Sequence, residues 1–185
     1  MPTKTPPALG RSDVATLVML LVVAVLAGIW PLTGTLTTWV PYIAIPAAAG
    51  LPFLWPPLRL MPLGETTWAF WIADTVGVLV MLAVAWAMLR AASRKHLRPH
   101  AGRAFGRGLW VTIVAMVAGN LVRAVFTSFV VHADLGTYLA TVAAGILITA
   151  LTAIVPGLLV GAAAALVGAT ARTPSLRDET LPLGR

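Results

Sequence analysis

Residues 67–89, TWAFWIADTVGVLVMLAVAWAML, form a long apolar run whose only charged residue is Asp74. A second stretch of the same kind follows at 109–131, LWVTIVAMVAGNLVRAVFTSFVV, with Arg123 as its only charge. As a helix, each would rise about 34 Å at about 1.5 Å per residue, enough to cross a hydrocarbon core about 30 Å thick. The two stretches therefore predict transmembrane helices that each carry one charge.

The composition of the whole chain agrees with that assignment. Of its 185 residues, 59% are hydrophobic and 10% are charged, whereas soluble domains are about 45–50% apolar and about 25% charged. So few charges exclude a soluble domain. The apolar excess excludes a disordered or nucleic-acid-binding chain in spite of the net charge of +7. The sequence predicts an all-α integral membrane protein, and its preference for Arg over Lys is typical of a GC-rich bacterial genome.

We predict a single membrane domain over residues 1–185, built as a bundle of four transmembrane helices. The spans are expected at about 14–32, 67–89, 109–131 and 137–170. The fourth would be about 50 Å long as a straight helix, so a tilt, a kink at Pro156 or a protruding end is expected. The first segment also has the basic start and apolar run of a secretory signal peptide, which leaves cleavage within residues 1–27 as an alternative.

Residues 33–66 form a proline-rich segment between the first two spans. Its apolar middle, 39–58, contains Pro41, Pro46, Pro52, Pro56 and Pro57. Each proline removes a backbone donor, and hydrocarbon offers no other partner for the carbonyl that is left. We therefore expect an extracytoplasmic segment that lies at the interface, packs on the other helices, or dips into the membrane and returns. A fifth span is the alternative.

The connection 90–108 predicts the orientation. It contains six Arg and Lys residues and no acid, so the positive-inside rule places it in the cytoplasm. Four spans then put both termini in the cytoplasm, and the sequence predicts a multi-pass protein of the plasma membrane. The tryptophans agree, since five of the seven fall at the outer interface and two, Trp86 and Trp110, at the inner one.

The same basic loop is a candidate contact for anionic lipid headgroups. The expected contacts are Arg94, Lys95, Arg98, Arg103 and Arg107, each contributing about 1 kcal/mol near an anionic surface. The alternative is that these charges only enforce the topology. The loop has one aromatic residue, Phe105, and no nucleic-acid-binding motif, so no nucleic-acid partner is expected.

The two intramembrane charges are predicted to form an ion pair. Asp74 and Arg123 lie at matching depths, about 10–13 Å below the outer surface. A lone charge at such a depth costs at least about 2.5–3.5 kcal/mol, so pairing is the expected remedy. Asn120 lies one turn from Arg123 and is expected to hydrogen-bond the same group.

This pair has two interpretations. It either fixes the register of the bundle or binds an anionic substrate or headgroup. In the second case, three polar residues of the outer half are the candidates to line a path to it: Glu65, His132 and Asp134.

The last span carries a strip of small residues at steps of four. Gly157, Gly161 and Ala165 are predicted to let two helix backbones approach closely. The partner is either another helix of this chain, or a second copy or another membrane protein.

Several kinds of chemistry are missing from the sequence. There is no cysteine, and no Walker A, Gly-x-Ser-x-Gly or His-Glu-x-x-His motif occurs. We predict no metal, no cofactor and no enzymatic activity. The expected function is that of a non-catalytic membrane component that binds a protein or lipid partner. The alternatives are a small transporter or substrate-binding subunit that uses Asp74 and Arg123, and a membrane enzyme whose site would combine the three outer polar residues.

Overall fold

A computed structural model describes residues 9–41, 55–62, 66–95 and 100–170, which form six α-helices and no strand. The helices are α1 (Arg11–Gly28), α2 (Trp30–Trp39), α3 (Trp68–Lys95), α4 (Ala101–Val130), α5 (Leu135–Thr152) and α6 (Ile154–Thr170). Four of them, α1, α3, α4 and α5, are long and apolar enough to cross a membrane. This confirms the prediction of an all-helical protein with four helices that are able to span a bilayer.

Helix α4 is the centre of the packing. It contacts α3, α5 and α6, and α1 packs on α6 and α3. The fully buried core side chains include Leu20, Met81 and Met116. Large hydrophobic side chains on the opposite faces, such as Leu147 and Leu166, are exposed. Side chains of this kind on the outer surface are what a hydrocarbon solvent requires.

Helices α5 and α6 continue in one direction along α4. Four pairs of residues define the register: Ala124 with Gly145, Asn120 with Thr149, Leu109 with Gly157, and Phe105 with Gly161. From pair to pair, the position on α4 falls by 4, 11 and 4 residues while the position on α5 and then α6 rises by 4, 8 and 4. The break at Ala153 is therefore a kink and not a reversal. Pro156 explains it, because proline cannot donate to the carbonyl of Thr152 and its ring crowds that turn.

The predicted span 137–170 is thus two helices, of which only α5 has the length of a span by itself. Of the three features expected for a span of this length, a tilt, a kink or a protruding end, the structure contains the kink. The first predicted span also ends earlier than expected, at Gly28, and a separate exposed helix, α2, follows it.

The small-residue strip of α6 packs against α4 of the same chain. A Cβ atom on Gly161 would lie 2.8 Å from the carbonyl oxygen of Phe105, and one on Gly157 would lie 2.7 Å from Leu109 Cδ1. At Gly161 a Cβ atom would meet backbone, so this glycine allows a close helix contact, whereas at Gly157 the atom in the way is the movable end of the Leu109 side chain. Ala165 is only partly buried, whereas Ala164 is buried, so the contact continues through Ala164. The contact thus moves three residues from Gly161 to Ala164, and not four to Ala165, because a helix has 3.6 residues per turn.

The basic stretch 90–108 is mostly helical and not a loop. Helix α3 runs on to Lys95 and α4 begins at Ala101; residues 96–99 lie outside the described part. Helix α4 has 30 residues, about 45 Å, which matches a bilayer thickness of about 40–45 Å with its headgroup layers.

The described part of the proline-rich segment enters the bundle. Pro56 is fully buried, and a Cβ atom on Gly119 would lie 2.9 Å from Pro56 Cγ. The Leu58 backbone N–H donates to the carbonyl of Ala24 at 2.9 Å. Gly119 is 11 residues from the C-terminal end of α4, about 16 Å along the helix. Non-helical backbone at such a depth is tolerated because protein encloses it. Pro46 and Pro52 lie outside the described residues.

Candidate functional site

Asp74 of α3 and Arg123 of α4 face each other inside the bundle. Arg123 Nε donates to Asp74 Oδ1 at 2.6 Å, and the two side chains are 13% and 12% exposed. Gly77 makes this approach possible, because a Cβ atom there would lie 2.9 Å from the carbonyl oxygen of Gly119. Because Gly77 has no side chain, there is also room for the aliphatic part of Arg123: a Cβ atom on Gly77 would lie 3.4 Å from Arg123 Cγ. The close crossing of α3 and α4 therefore sets the geometry of the pair.

Asn120 links the pair to a third helix. Its Oδ1 accepts a hydrogen bond from Arg123 Nη1 at 2.9 Å, and its Nδ2 donates to Thr149 Oγ1 of α5 at 3.0 Å. Asn120 and Thr149 are buried. The network fixes the guanidinium plane of Arg123, since two partners on different helices hold it.

Arg59 is a second cation at this end of the bundle, and no pattern in the sequence groups it with Arg123. Its Nη1 donates to Thr66 Oγ1 at 3.1 Å, and its carbonyl accepts from Trp71 Nε1 at 2.9 Å. The guanidinium carbon lies 5.8 Å from the centroid of the Trp30 ring, a cation–π distance. Arg59 Nε is buried and has no hydrogen-bond acceptor among the described residues.

Arg59 and Arg123 line one cavity of about 340 Å³ between α1, α2 and the proline-rich segment, within the range of about 300–1,000 Å³ that is typical of ligand pockets. The remaining lining residues are Ala27, Trp30, Thr33, Gly34, Thr37 and Pro57. Asp74 is the one described carboxylate that neutralises either arginine. The described surroundings of the cavity therefore carry an excess of one positive charge.

The other predicted outer residues do not line this cavity. Asp134 is the N-cap of α5, where its Oδ1 accepts the Thr137 backbone N–H at 3.0 Å. That hydrogen bond lowers the pKa of Asp134, which is fully exposed. His132 is exposed in the preceding turn with a positive φ of 50°, a conformation in which His is enriched. Glu65 lies outside the described residues.

A second ion pair lies at the opposite end of the bundle. Arg107 Nη1 is 3.1 Å from Asp13 Oδ1, and Ser93 Oγ donates to Asp13 Oδ2 at 2.6 Å. These contacts connect α1, α3 and α4. The sequence offers one signal for this cluster: Asp13 stands at the start of the first apolar run, on the side where the basic stretch is expected.

Arg107, a predicted headgroup contact, has a side chain that is 11% exposed and lies on Asp13; its contact with headgroups stays a prediction. Of the other predicted contacts, Arg94 and Arg103 are exposed. The side chain of Lys95 and the whole of Arg98 lie outside the described part.

Comparisons with protein-family models, with curated proteins and with solved structures find no match to this chain. The function must therefore be inferred from the geometry of these residues.

Proposed function

We propose that this chain is a non-catalytic, multi-pass protein of the plasma membrane that binds an anionic ligand between Arg59 and Arg123. The observation that carries the proposal is the shared cavity, which two guanidinium groups line while one carboxylate, Asp74, offsets them. An excess positive charge in surroundings of low dielectric attracts an anion far more strongly than the same charge would in water.

The two arginines have different roles in this proposal. Arg123 is fixed by Asp74 and Asn120, so it contributes a charge of fixed position and loses little freedom when a ligand binds. Arg59 is the direct ligand, because its buried Nε has no described acceptor. A guanidinium suits this role since its planar fork of N–H donors matches carboxylate and phosphate oxygens.

The polar groups of the cavity favour binding over catalysis. Apart from the two arginines, the polar side chains that line it are those of Thr33 and Thr37. Hydroxyls and guanidiniums donate hydrogen bonds to an anion but do not act as a general base at neutral pH without a partner that takes the proton.

The cavity is proposed to face the outside of the cell. The basic helix ends around Arg94 and Arg103 lie at the opposite end of α3 and α4 from Arg59 and Arg123. The positive-inside rule assigns those basic ends, and with them both termini, to the cytoplasm.

A small transporter or substrate-binding subunit is the second candidate. It is favoured by the depth of the site, since the cavity reaches a residue within a span and non-helical backbone lies beside it at Pro56. Many transporters bind their substrates at such interrupted segments. Uptake of phosphate by sealed vesicles that contain the purified protein would favour this candidate over a binding component.

Thermal unfolding of the detergent-purified protein tests the proposal, with inorganic phosphate as the probe at constant ionic strength. We expect saturable stabilisation of the wild type, about 5 °C at about 100 times the Kd. The shift should be lost in Arg59→Gln and kept in Arg103→Gln, a matched control with an exposed arginine on α4. An equal shift in all three proteins, or none in the wild type, would contradict the proposal.

A further inference from the structure

A second cavity, of about 190 Å³, adjoins the one that holds the arginines. It lies between α1, α2 and α6, and its lining residues are Val23, Leu26, Ala27, Leu32, Thr33, Leu36, Trp55, Val155, Pro156 and Leu159. Ala27 and Thr33 belong to the walls of both cavities. A charged compartment and an apolar compartment therefore meet at these two residues.

We infer that the two cavities together bind one anionic phospholipid, with its phosphate at Arg59 and one acyl chain in the apolar cavity. This inference rests on the proposed function and specifies its ligand. A phosphodiester carries one negative charge, which matches the single excess positive charge of the described surroundings. An inorganic anion would use only the first compartment.

The depths of the two compartments agree with the shape of a phospholipid. Arg123 is seven residues from the outer end of α4, about 10 Å, where the headgroup layer of a bilayer meets the hydrocarbon. The apolar cavity lies deeper, because its wall at Pro156 adjoins Gly157, which packs on Leu109 of α4. A chain tied to a phosphate runs in this direction, from the headgroup layer toward the middle of the bilayer.

The apolar cavity is accessible from the bilayer. Val155 and Leu159 on its α6 side are 60% and 59% exposed, and side chains exposed on a spanning bundle contact lipid. An acyl chain can therefore enter sideways without leaving the hydrocarbon. Since bilayer and cavity are equally apolar, the chain gains little free energy by entering. The arginines select the headgroup, and the apolar cavity accommodates the acyl chain that is attached to it.

Trp55 gives independent support for a polar acceptor on the ligand. Its Nε1 is buried and has no hydrogen-bond acceptor among the described residues, and its side chain lines the apolar cavity. Leaving such a donor unpaired costs about 1–3 kcal/mol. A phospholipid carries ester carbonyls between its phosphate and its chains, where they can accept this N–H.

The test uses the full chain in nanodiscs that contain phosphatidylglycerol and phosphatidylcholine in equal amounts. Native mass spectrometry of the released protein counts the lipid of each kind that stays bound. The variants are Arg59→Gln for the headgroup, Trp55→Phe for the N–H and Leu159→Trp, which fills the apolar cavity. Leu158→Trp is the matched control, because it adds the same bulk at the neighbouring residue, outside the cavity lining.

We expect the wild type and Leu158→Trp to retain phosphatidylglycerol about tenfold over phosphatidylcholine, because the excess positive charge beside Arg59 and Arg123 repels the quaternary ammonium of phosphatidylcholine. Arg59→Gln removes that excess charge and should lose the preference. Leu159→Trp and Trp55→Phe should lower the total amount of phosphatidylglycerol that stays bound about threefold or more, since each weakens the site of the chain or of its ester, while leaving stabilisation by inorganic phosphate unchanged. If phosphate stabilises the protein but no phosphatidylglycerol is preferred, or Leu159→Trp has no effect, the lipid inference is wrong and the anion site stands. If neither phosphate nor phosphatidylglycerol binds, both proposals fail.

Discussion

Arg123 Nε and Asp74 Oδ1 lie 2.6 Å apart, joining α4 to α3. Asp74 is six residues from the N-terminal end of α3, and Arg123 is seven from the C-terminal end of α4, so the two charges lie at nearly equal distances from the same end of the bundle. Asn120 holds the same guanidinium. The pair thus links two helices, and its arginine also lines the cavity.

Neutralising one member of this pair should destabilise the protein, and unequally. We expect Asp74→Asn to cost about 3–5 kcal/mol, because it leaves a buried cation that cannot lose its proton. Arg123→Gln should cost less, since a carboxylate left alone can become neutral by taking up a proton. Thermal unfolding in detergent measures both, and the double variant should recover most of the loss. Single variants as stable as the wild type would show that the pair has no structural role.

The crossing of α3 and α4 predicts an effect of added methyl groups. Gly119→Ala should lower the free energy of unfolding by about 1–3 kcal/mol, because its Cβ would lie 2.7 Å from the carbonyl oxygen of Gly77 and neither backbone can move aside freely. Gly106→Ala is the matched control on the same helix, since a Cβ there meets nothing within 4 Å. It should be neutral or stabilising by up to about 1 kcal/mol. Equal effects of the two changes would contradict the close crossing.

At the opposite end, Asp13→Asn should weaken the link between α1, α3 and α4. The carboxylate of Asp13 accepts from Arg107 and Ser93, so we expect a loss of about 2 kcal/mol, the value of hydrogen bonds to a charged group. Proteolysis of α1 in detergent, as a function of temperature, measures it. Arg103→Gln removes an exposed charge from the same helix as Arg107 and should change stability by no more than about 0.5 kcal/mol. If the two variants resist protease equally, the pair does not hold α1.

The N-cap of α5 predicts a dependence on pH. The Thr137 N–H lowers the pKa of Asp134 from its ordinary value of 3.8, so the folded helix favours the carboxylate. The cap therefore stabilises the first turn above pH 3.8 and loses this effect as the pH falls through the lower folded value. Hydrogen exchange of the first turn of α5, relative to Asp134→Asn at each pH, should show extra protection in the wild type that disappears in acid. Asn still caps the helix but does not titrate. A ratio that is constant with pH would contradict this role of the carboxylate.

The absence of native cysteine makes the proposed orientation directly testable. Single cysteines at Arg103 and Val131 occupy exposed positions at opposite ends of α4. In intact cells, a membrane-impermeant thiol reagent should label Val131→Cys and not Arg103→Cys. Inside-out vesicles should show the opposite pattern. Labelling of Arg103→Cys from outside would reverse the orientation and turn the arginine cavity toward the cytoplasm.

The sequence predicted the helical spans better than their ends. An apolar run such as 67–89 predicts a span from its length. A helix satisfies its backbone hydrogen bonds internally, and about 20 helical residues are enough to cross the hydrocarbon of a bilayer. Helix ends depend on neighbours, and α3 extends past the apolar run to Lys95. Likewise Pro156 predicted a kink, but its position at Ala153 and the continued packing on α4 required the tertiary contacts.

The sequence alone predicts that hydrocarbon surrounds the chain and that two charges, Asp74 and Arg123, lie within it. Asp74 and Arg123 stand out because charge is costly in hydrocarbon, and matching depths suggested that they pair. The grouping of Arg59 with Arg123 was decided only by the tertiary structure. The two residues are far apart in the chain, and a proline-rich segment, which no periodic pattern describes, brings Arg59 into the bundle. The hydropathy of a segment predicts whether it faces water or hydrocarbon. Which side chains meet inside the bundle depends on packing, and glycines such as Gly77 contribute to it by allowing two helix backbones to approach closely.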